Sequence, residues 1–126
     1  MRLIESELGV GFKLHTFDND DIPPYAILSH TWSEGEEVVY DELVAGKGKN
    51  KAGYAKLRFC AERAIKDGLN YFWVDTCCID KRDNVELSTA LNSMFRWYRR
   101  ATKCYMYLSD VHVPDVVPNA QEFRII

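Results

Sequence analysis

The sequence predicts a three-layer α/β domain in which a parallel sheet lies between two layers of helix. Three short apolar runs, at about residues 25–29, 70–75 and 103–108, have the composition of strands that are covered on both faces. Two amphipathic segments separate these runs, and strands that alternate with helices favour right-handed crossovers in a parallel sheet. We therefore expect the first apolar strand in the middle and the two helices on opposite faces.

An N-terminal β-hairpin precedes this unit. The segments RLIESEL and FKLHTF are short and amphipathic, and Gly9 and Gly11 lie between them. A connector rich in turn-forming residues, at 18–24, then leads to the first apolar strand. The sequence thus predicts a separate hairpin before the parallel sheet.

Both crossover helices have sequence signals for where they begin or end. In the first, apolar residues recur at intervals of three and four from Leu57 to Ile65, and Gly68 marks the end. The second begins at an apparent capping box, from Asp83 to Glu86. Its predicted buried stripe consists of Leu87, Leu91, Met94, Phe95 and Tyr98.

The chain reads as a single domain over residues 1–126, with a core at 24–111 and an irregular, proline-bearing tail at 112–126. Hydrophobic residues make up 47% and charged residues 28%, as in ordinary globular proteins, and the net charge is −3. This charge gives no general attraction to nucleic acid or to an anionic membrane. Because the sequence also shows no membrane span and no signal peptide, we expect a cytoplasmic location.

The stretch FWVDTCCID at residues 72–80 contains two of the four cysteines. Adjacent residues on a strand point to opposite faces, so Cys77 and Cys78 are poorly placed to bind one zinc ion. A disulfide, or a nucleophilic thiol assisted by His30, remains an alternative. The favoured interpretation is that Cys60, Cys77, Cys78 and Cys104 are small buried side chains, and we predict no metal site.

Polar groups follow the carboxyl ends of the predicted strands, where open α/β sheets bind their ligands. The candidate ligand-binding residues are Ser29, His30, Thr31, Trp32, Asp75, Asp80 and Lys81. Each also has a structural interpretation: turn-stabilising hydrogen bonds for Ser29 and His30, a lid over the core for Trp32, and a loop cap for Asp75. Catalytic residues are not identifiable from these patterns.

Five blocks closely resemble the heterokaryon incompatibility (HET) domain of filamentous fungi. They are PYAILSHTW at 24–32, the GY-x-K-L helix start at 53–57, FWVDTCCIDK at 72–81, ELSTALNSMFRWYRRA at 86–101 and CYMYLSDV at 104–111. The resemblance implies a flavodoxin-like fold similar to the Toll/interleukin-1 receptor (TIR) domain. It also implies that the chain is the N-terminal portion of such a domain.

The resemblance further implies a function in fungal non-self recognition. The expected function is a signalling and assembly module of heterokaryon incompatibility and programmed cell death, whose partner is a second copy or another death-signalling protein. The alternative is a TIR-like NAD glycohydrolase whose catalytic glutamate lies outside this chain, which makes this fragment inactive. No cofactor is predicted, and NAD enters only as the substrate or ligand of that alternative.

Overall fold

The computed structural model describes residues 1–7, 11–31 and 33–107. Within these ranges the strands and helices follow one another in the order β1 (Arg2–Glu7), β2 (Gly11–Thr16), β3 (Tyr25–His30), α1 (Tyr40–Val44), α2 (Ala52–Lys66), β4 (Tyr71–Trp73), α3 (Asp75–Cys78), α4 (Asn84–Arg100) and β5 (Lys103–Tyr107). None of the helices in the described part of the chain is both long enough and apolar enough to cross a membrane. Trp32 and the predicted tail at 112–126 lie outside the described residues.

The described strands form one five-stranded sheet with the order β2-β1-β4-β3-β5. β3 pairs in parallel with β4 on one side and with β5 on the other. The prediction of three parallel strands with the first one in the middle is therefore confirmed. The buried side chains of β3, from Tyr25 to Leu28, explain its continuously apolar sequence, because both faces of this strand are covered.

The N-terminal hairpin is also confirmed, but the sheet it joins is mixed rather than wholly parallel. β1 pairs antiparallel with β2, and its other edge pairs antiparallel with β4. The prediction of a purely parallel sheet is wrong here, because the hairpin covers the edge of β4 that the parallel strands leave open. Leu3 and Ile4 of β1 are completely buried by this arrangement.

Helix α4 packs on one face of the sheet. Ile27 and Trp73 are register partners on parallel strands, so their side chains point to the same face. On that face the Trp73 ring lies 5.6 Å from the ring of Trp97, and the Tyr25 hydroxyl donates to the Trp97 carbonyl at 2.5 Å. Trp97 belongs to α4, and these contacts fix the helix beneath β3 and β4.

Helix α2 packs on the opposite face. The Tyr105 hydroxyl of β5 bonds to the Asp67 carboxylate at the end of α2, with an O–O distance of 2.5 Å. Next to it, the rings of Phe59 and Tyr107 meet at 5.2 Å. Since Tyr105 alternates with Cys104, the register partner of Ile27, it faces away from α4. The predicted placement of the two crossover helices on opposite faces is confirmed.

The buried face of α4 agrees with the predicted stripe only in part. Leu87, Met94 and Tyr98 pack against the core as predicted, but Leu91 and Phe95 are 61% and 58% exposed. Ala90 and Ser93 are buried instead, and Trp97 packs against the core. The small side chains of Ala90 and Ser93 allow the helix to approach the sheet closely. The periodicity of the large apolar residues therefore predicts a buried face that is rotated about the helix axis from the observed one.

Asp83 caps α4 as the sequence predicts, but Glu86 does not complete a capping box. The Asp83 carboxylate accepts hydrogen bonds from the backbone N–H groups of Val85 and Glu86 at 3.0 and 3.2 Å. The Glu86 carboxylate instead pairs with the guanidinium of Arg2 and accepts from the Asp80 N–H at 3.2 Å. The Arg2 guanidinium also lies 4.5 Å from the centre of the Tyr40 ring. Arg2 therefore ties the hairpin to α1 and α4.

Gly53 allows α2 to pack directly on the backbone of the loop that follows β3. Its N–H donates to the Glu36 carbonyl at 2.7 Å. A Cβ atom on this glycine would lie 2.6 Å from that carbonyl oxygen and 2.8 Å from the Glu37 Cα, both inside contact distance. Because the obstructing atoms belong to the backbone, a side chain could fit here only if the loop or the helix moved.

We predict that Gly53→Ala destabilises the protein. In a helix without this contact, glycine to alanine is favourable by about 1 kcal/mol. Here the clash should reverse the sign and lower the free energy of unfolding by about 1–3 kcal/mol, the usual cost of overpacking. Urea unfolding of the two proteins measures the difference, and a more stable Gly53→Ala variant would contradict the close approach.

Candidate functional site

The candidate site begins where β4 ends and the short helix α3 starts. Val74 is extended, and the Cys78 N–H closes a turn onto the Val74 carbonyl at 2.9 Å. Asp75 is therefore the first residue of a helical turn, whereas the sequence predicts it as the last residue of the strand at 70–75; the strand itself ends at Trp73. This turn aims the Asp75 side chain at the end of the neighbouring strand β3, where it contacts His30.

All four cysteines are buried and free, which agrees with their interpretation as small core side chains. The Cys77 thiol donates to the Val38 carbonyl at 3.0 Å and so attaches α3 to the loop before α1. Burial, opposed by a hydrogen bond from Thr76, raises the pKa of Cys77 to about 12. A thiol with this pKa stays protonated at neutral pH and is a poor nucleophile.

His30 and Asp75 form the centre of the site. The His30 Nε2 atom lies 2.8 Å from the Asp75 Oδ1 atom, and the imidazole is only 2% exposed. Since an ionised carboxylate can only accept, His30 must carry a proton on Nε2 and donate it to Asp75. The ends of two adjacent parallel strands are thereby joined through side chains.

A buried ion pair lies on the other side of the imidazole. The Lys56 ammonium of α2 contacts the Glu37 Oε2 atom at 2.7 Å, and the two side chains are 5% and 8% exposed. It also donates to the Thr31 carbonyl at 2.5 Å and lies 3.3 Å from the His30 Nδ1 atom. Glu37 receives a further hydrogen bond from the Ser33 N–H at 2.8 Å. Both charges of the pair are therefore solvated by protein groups rather than by water.

The contacts of Lys56 determine the tautomer of His30. An ammonium group has three protons, and here it faces three acceptors: Glu37, Thr31 and the Nδ1 atom of His30. The Glu37 Oε1 atom also lies near Nδ1, but its distance of 3.6 Å is too long for a hydrogen bond, whereas Lys56 lies at 3.3 Å and can only donate. Nδ1 therefore accepts from Lys56, while Nε2 donates to Asp75. The geometry thus places a proton on Nε2 and holds the imidazole between a lysine and an aspartate.

Toward the surface the network continues through Lys81 and Tyr98. The Lys81 ammonium lies 3.9 Å from the Asp75 Oδ2 atom and is 35% exposed; burial lowers its pKa, and the Asp75 charge opposes this. Tyr98 of α4 hydrogen-bonds with Ser29, and burial and then Asp75 raise the pKa of the phenol to about 12. The phenol is therefore neutral at physiological pH. Ser29, Asp75 and Lys81 thus border the solvent-facing end of the network.

The structure brings several of the predicted site residues together and leaves others apart. His30, Asp75 and Lys81 form one cluster with Ser29 beside it, while Thr31 contributes its backbone carbonyl. Asp80 bonds elsewhere, because its carboxylate accepts from the Arg82 guanidinium at 3.0 Å. Trp32 lies outside the described residues.

Sequence reasoning missed three members of the network: Glu37, Lys56 and Tyr98. Glu37 falls in a polar loop, and Tyr98 was assigned only to the packing stripe of its helix. Lys56 carried the clearest available signal, since it occupies an inward position of an amphipathic helix between the buried residues Tyr54 and Leu57. A lysine at such a position requires a buried partner.

The polar side chains of this network bond to one another rather than face an open ligand pocket. In the part of the chain that the structure describes, no fully buried side-chain nitrogen or oxygen lacks a hydrogen-bond partner, and no group of three or more His, Cys, Asp or Glu side chains is placed to hold a metal. A nearby depression of about 170 Å³ is lined by residues that include Tyr40, Ile79 and Lys81. Small-molecule pockets usually enclose roughly 300–1,000 Å³, so this depression would hold only a fragment of a ligand.

Comparison with known proteins gives a consistent family match. The family model described as "Heterokaryon incompatibility protein (HET)" matches residues 25–124. The chain is also 55% identical over 113 residues to vegetative incompatibility protein HET-E-1 of Podospora anserina; the match covers 88% of this chain. The chain spans 8% of the length of that relative. No solved structure matches.

We predict that Lys56→Met is strongly destabilising. It leaves Glu37 buried without its cation, and breaking a buried pair in this way costs about 3–5 kcal/mol. The matched control is Lys51→Met, which removes a partly exposed pair with Glu42 at 2.8 Å and should cost about 0–1 kcal/mol. Denaturant unfolding of both variants measures the costs. Equal effects would show that the Lys56 pair is not buried in solution.

The double variant Lys56→Met/Glu37→Leu separates burial of an unpaired charge from loss of packing. Replacing both partners of a buried pair by apolar groups is often neutral or better. We expect the double variant to recover most of the stability that Lys56→Met alone loses. A double variant as unstable as the single one would contradict this explanation.

We predict that the cysteine thiols of the folded protein react slowly with iodoacetamide at neutral pH. Cys77, with a pKa of about 12, has almost no thiolate at pH 7, and burial also raises the pKa values of Cys60 and Cys78. In denaturant all four cysteines should titrate as free thiols. Rapid alkylation of a cysteine in the folded state would contradict this assignment.

Proposed function

The chain belongs to the HET family, and we propose that it is a signalling and assembly module of fungal heterokaryon incompatibility and programmed cell death. The name of its relative, vegetative incompatibility protein HET-E-1, supports this proposal. We place its action in the cytoplasm. Its partner is a second copy of the chain or another death-signalling protein.

The observation that carries the proposal is the closed network at the strand ends. Glu37, Lys56, His30 and Asp75 satisfy one another, and Lys56 has no proton left to offer a ligand. Such a network holds the surrounding backbone in one arrangement, which is what an interaction module requires of its framework. An enzyme would need polar groups that face an open substrate pocket.

A TIR-like NAD glycohydrolase is the second candidate. It is favoured by the position of the Asp75 carboxylate, which lies at the carboxyl end of the sheet, is 19% exposed and has Lys81 beside it. A carboxylate there could bind the hydroxyl groups of a ribose. The glutamate that stabilises the developing charge on the sugar would still have to come from outside this chain.

Inducible expression of the chain in a filamentous fungus tests the proposed function. We expect death of hyphal compartments, scored with a vital dye, and a weaker effect for Asp75→Asn, which converts the charged partner of His30 into a neutral one. Ile65→Ser, a change at a side chain that is 62% exposed on α2, serves as the control and should kill as the unchanged chain does. A folded, well-expressed chain that leaves the hyphae viable would contradict the proposal.

Incubating the purified chain with NAD separates the two candidates. The module predicts no release of nicotinamide at any protein concentration, while killing in cells persists. Release that scales with protein concentration and is lost in Asp75→Asn would favour the glycohydrolase instead.

A further inference from the structure

Helix α4 has an exposed face that the network does not use. Leu91 and Phe95 are 61% and 58% exposed, although they lie on the helix that packs against the sheet. They are four residues apart, so they form neighbouring positions on one ridge of the helix. Single exposed apolar residues are common on protein surfaces and need no explanation. The arginines near Leu91 and Phe95 distinguish this pair from such isolated residues.

Arg99 follows Phe95 by four residues on the same row, and Arg96 and Arg100 form the next row around the exposed side of α4. Arg96, Arg99 and Arg100 are all exposed. The Arg99 guanidinium lies 5.6 Å from the centre of the Phe95 ring, Arg96 contacts the Ser93 hydroxyl at 3.3 Å, and Arg100 contacts the Asn19 carbonyl at 3.4 Å. We call the surface formed by Leu91, Phe95, Arg96, Arg99 and Arg100 the basic ridge.

The charges of the basic ridge are not balanced within the described structure. Over residues 1–7, 11–31 and 33–107, the structure shows no ion pair for Arg96, Arg99 or Arg100, whereas Arg2 and Arg82 each pair with carboxylates. The chain as a whole has a net charge of −3, so this concentration of positive charge runs against its composition. Three guanidinium groups on the same exposed side of α4 as two apolar side chains are complementary to a surface that is acidic and apolar.

We propose that the basic ridge binds an acidic amphipathic segment of a partner protein, an inference that rests on the proposed function of the chain as an assembly module. Leu91 and Phe95 pack against apolar side chains of the partner, and the arginines pair with its flanking carboxylates. Arginine suits this role, because its planar fork can bond a carboxylate through two N–H groups. Phe95 and the arginines are also residue types that are enriched in interface centres.

A protein partner fits these features better than a membrane or a nucleic acid. Only two apolar side chains are exposed on the ridge, which is little area to insert into a bilayer. The negative charge of the chain as a whole opposes attraction to anionic lipid or to phosphate backbones. A short acidic segment can bind at the basic ridge alone. The rest of this chain, which is acidic overall, then does not face an extended anionic surface.

Fluorescence anisotropy tests the proposal with a defined probe. The probe is a labelled 16-residue peptide with leucines at positions i, i+3, i+4 and i+7 and glutamates elsewhere, and its comparison is a scrambled peptide of the same composition. We expect the amphipathic peptide to bind more tightly than the scrambled one, and added salt to weaken the binding. Arg96→Glu/Arg99→Glu and Phe95→Ser should each raise the dissociation constant about tenfold.

Matched controls lie on α2, where Lys66→Glu reverses an exposed positive charge and Ile65→Ser removes an exposed apolar side chain. Both should bind the peptide as the unchanged protein does, and all variants should keep its circular dichroism spectrum. The absence of binding, equal binding of the scrambled peptide, or equal loss in the α2 variants would overturn the proposal. Binding to phosphatidylserine vesicles but not to the peptide would overturn it in favour of a membrane surface.

The outcomes for this proposal and for the proposed function can be told apart. If the basic-ridge variants lose peptide binding but kill hyphae as the unchanged chain does, the ridge is not the assembly surface and this inference fails alone. If the unchanged chain binds the peptide but does not kill, the proposed function fails while the binding surface remains.

Discussion

The Lys56 ammonium is the interaction on which the rest of the site depends. It is buried, and its three protons reach the Glu37 carboxylate, the Thr31 carbonyl and the imidazole of His30. One side chain of α2 thereby fixes the loop after β3, the end of β3 itself and the tautomer of the histidine. Because an unpaired buried charge costs several kcal/mol, none of these partners can move away independently. The geometry at the carboxyl end of the sheet follows from this constraint.

Further contacts extend outward from Lys56 at this end of the sheet. The hydrogen bond between His30 and Asp75 holds the first turn of α3 against the end of β3. Cys77 joins the same turn to the backbone before α1, and Arg2 joins α1 to the hairpin and to α4 through Tyr40 and Glu86. Each link lies at the same end of the sheet. The result is one connected surface that is built from six elements: β1, β3, α1, α2, α3 and α4.

The sequence predicts the framework well because the framework follows from local patterns. Apolar runs and amphipathic segments identify β3, α2, β4, α4 and β5, and right-handed crossovers then fix the middle strand and the two helix layers. The pairing of β1 with β4 and the rotation of α4 about its axis depend on tertiary packing, which no local pattern encodes. The network was only half predicted for the same reason. His30 and Asp75 follow strands and are easily suspected, whereas Glu37 and Lys56 acquire their meaning only when the loop meets α2.

The protonation of His30 is the most direct test of this account. Long-range ¹H–¹⁵N correlation spectra of the imidazole, recorded at about pH 8 where an ordinary histidine is neutral, distinguish the two tautomers. The contacts of the imidazole predict a proton on Nε2, donated to Asp75, and an unprotonated Nδ1 that accepts from Lys56. A proton on Nδ1, or a ring that exchanges freely between the two tautomers, would contradict it, because Lys56 would then have no acceptor there.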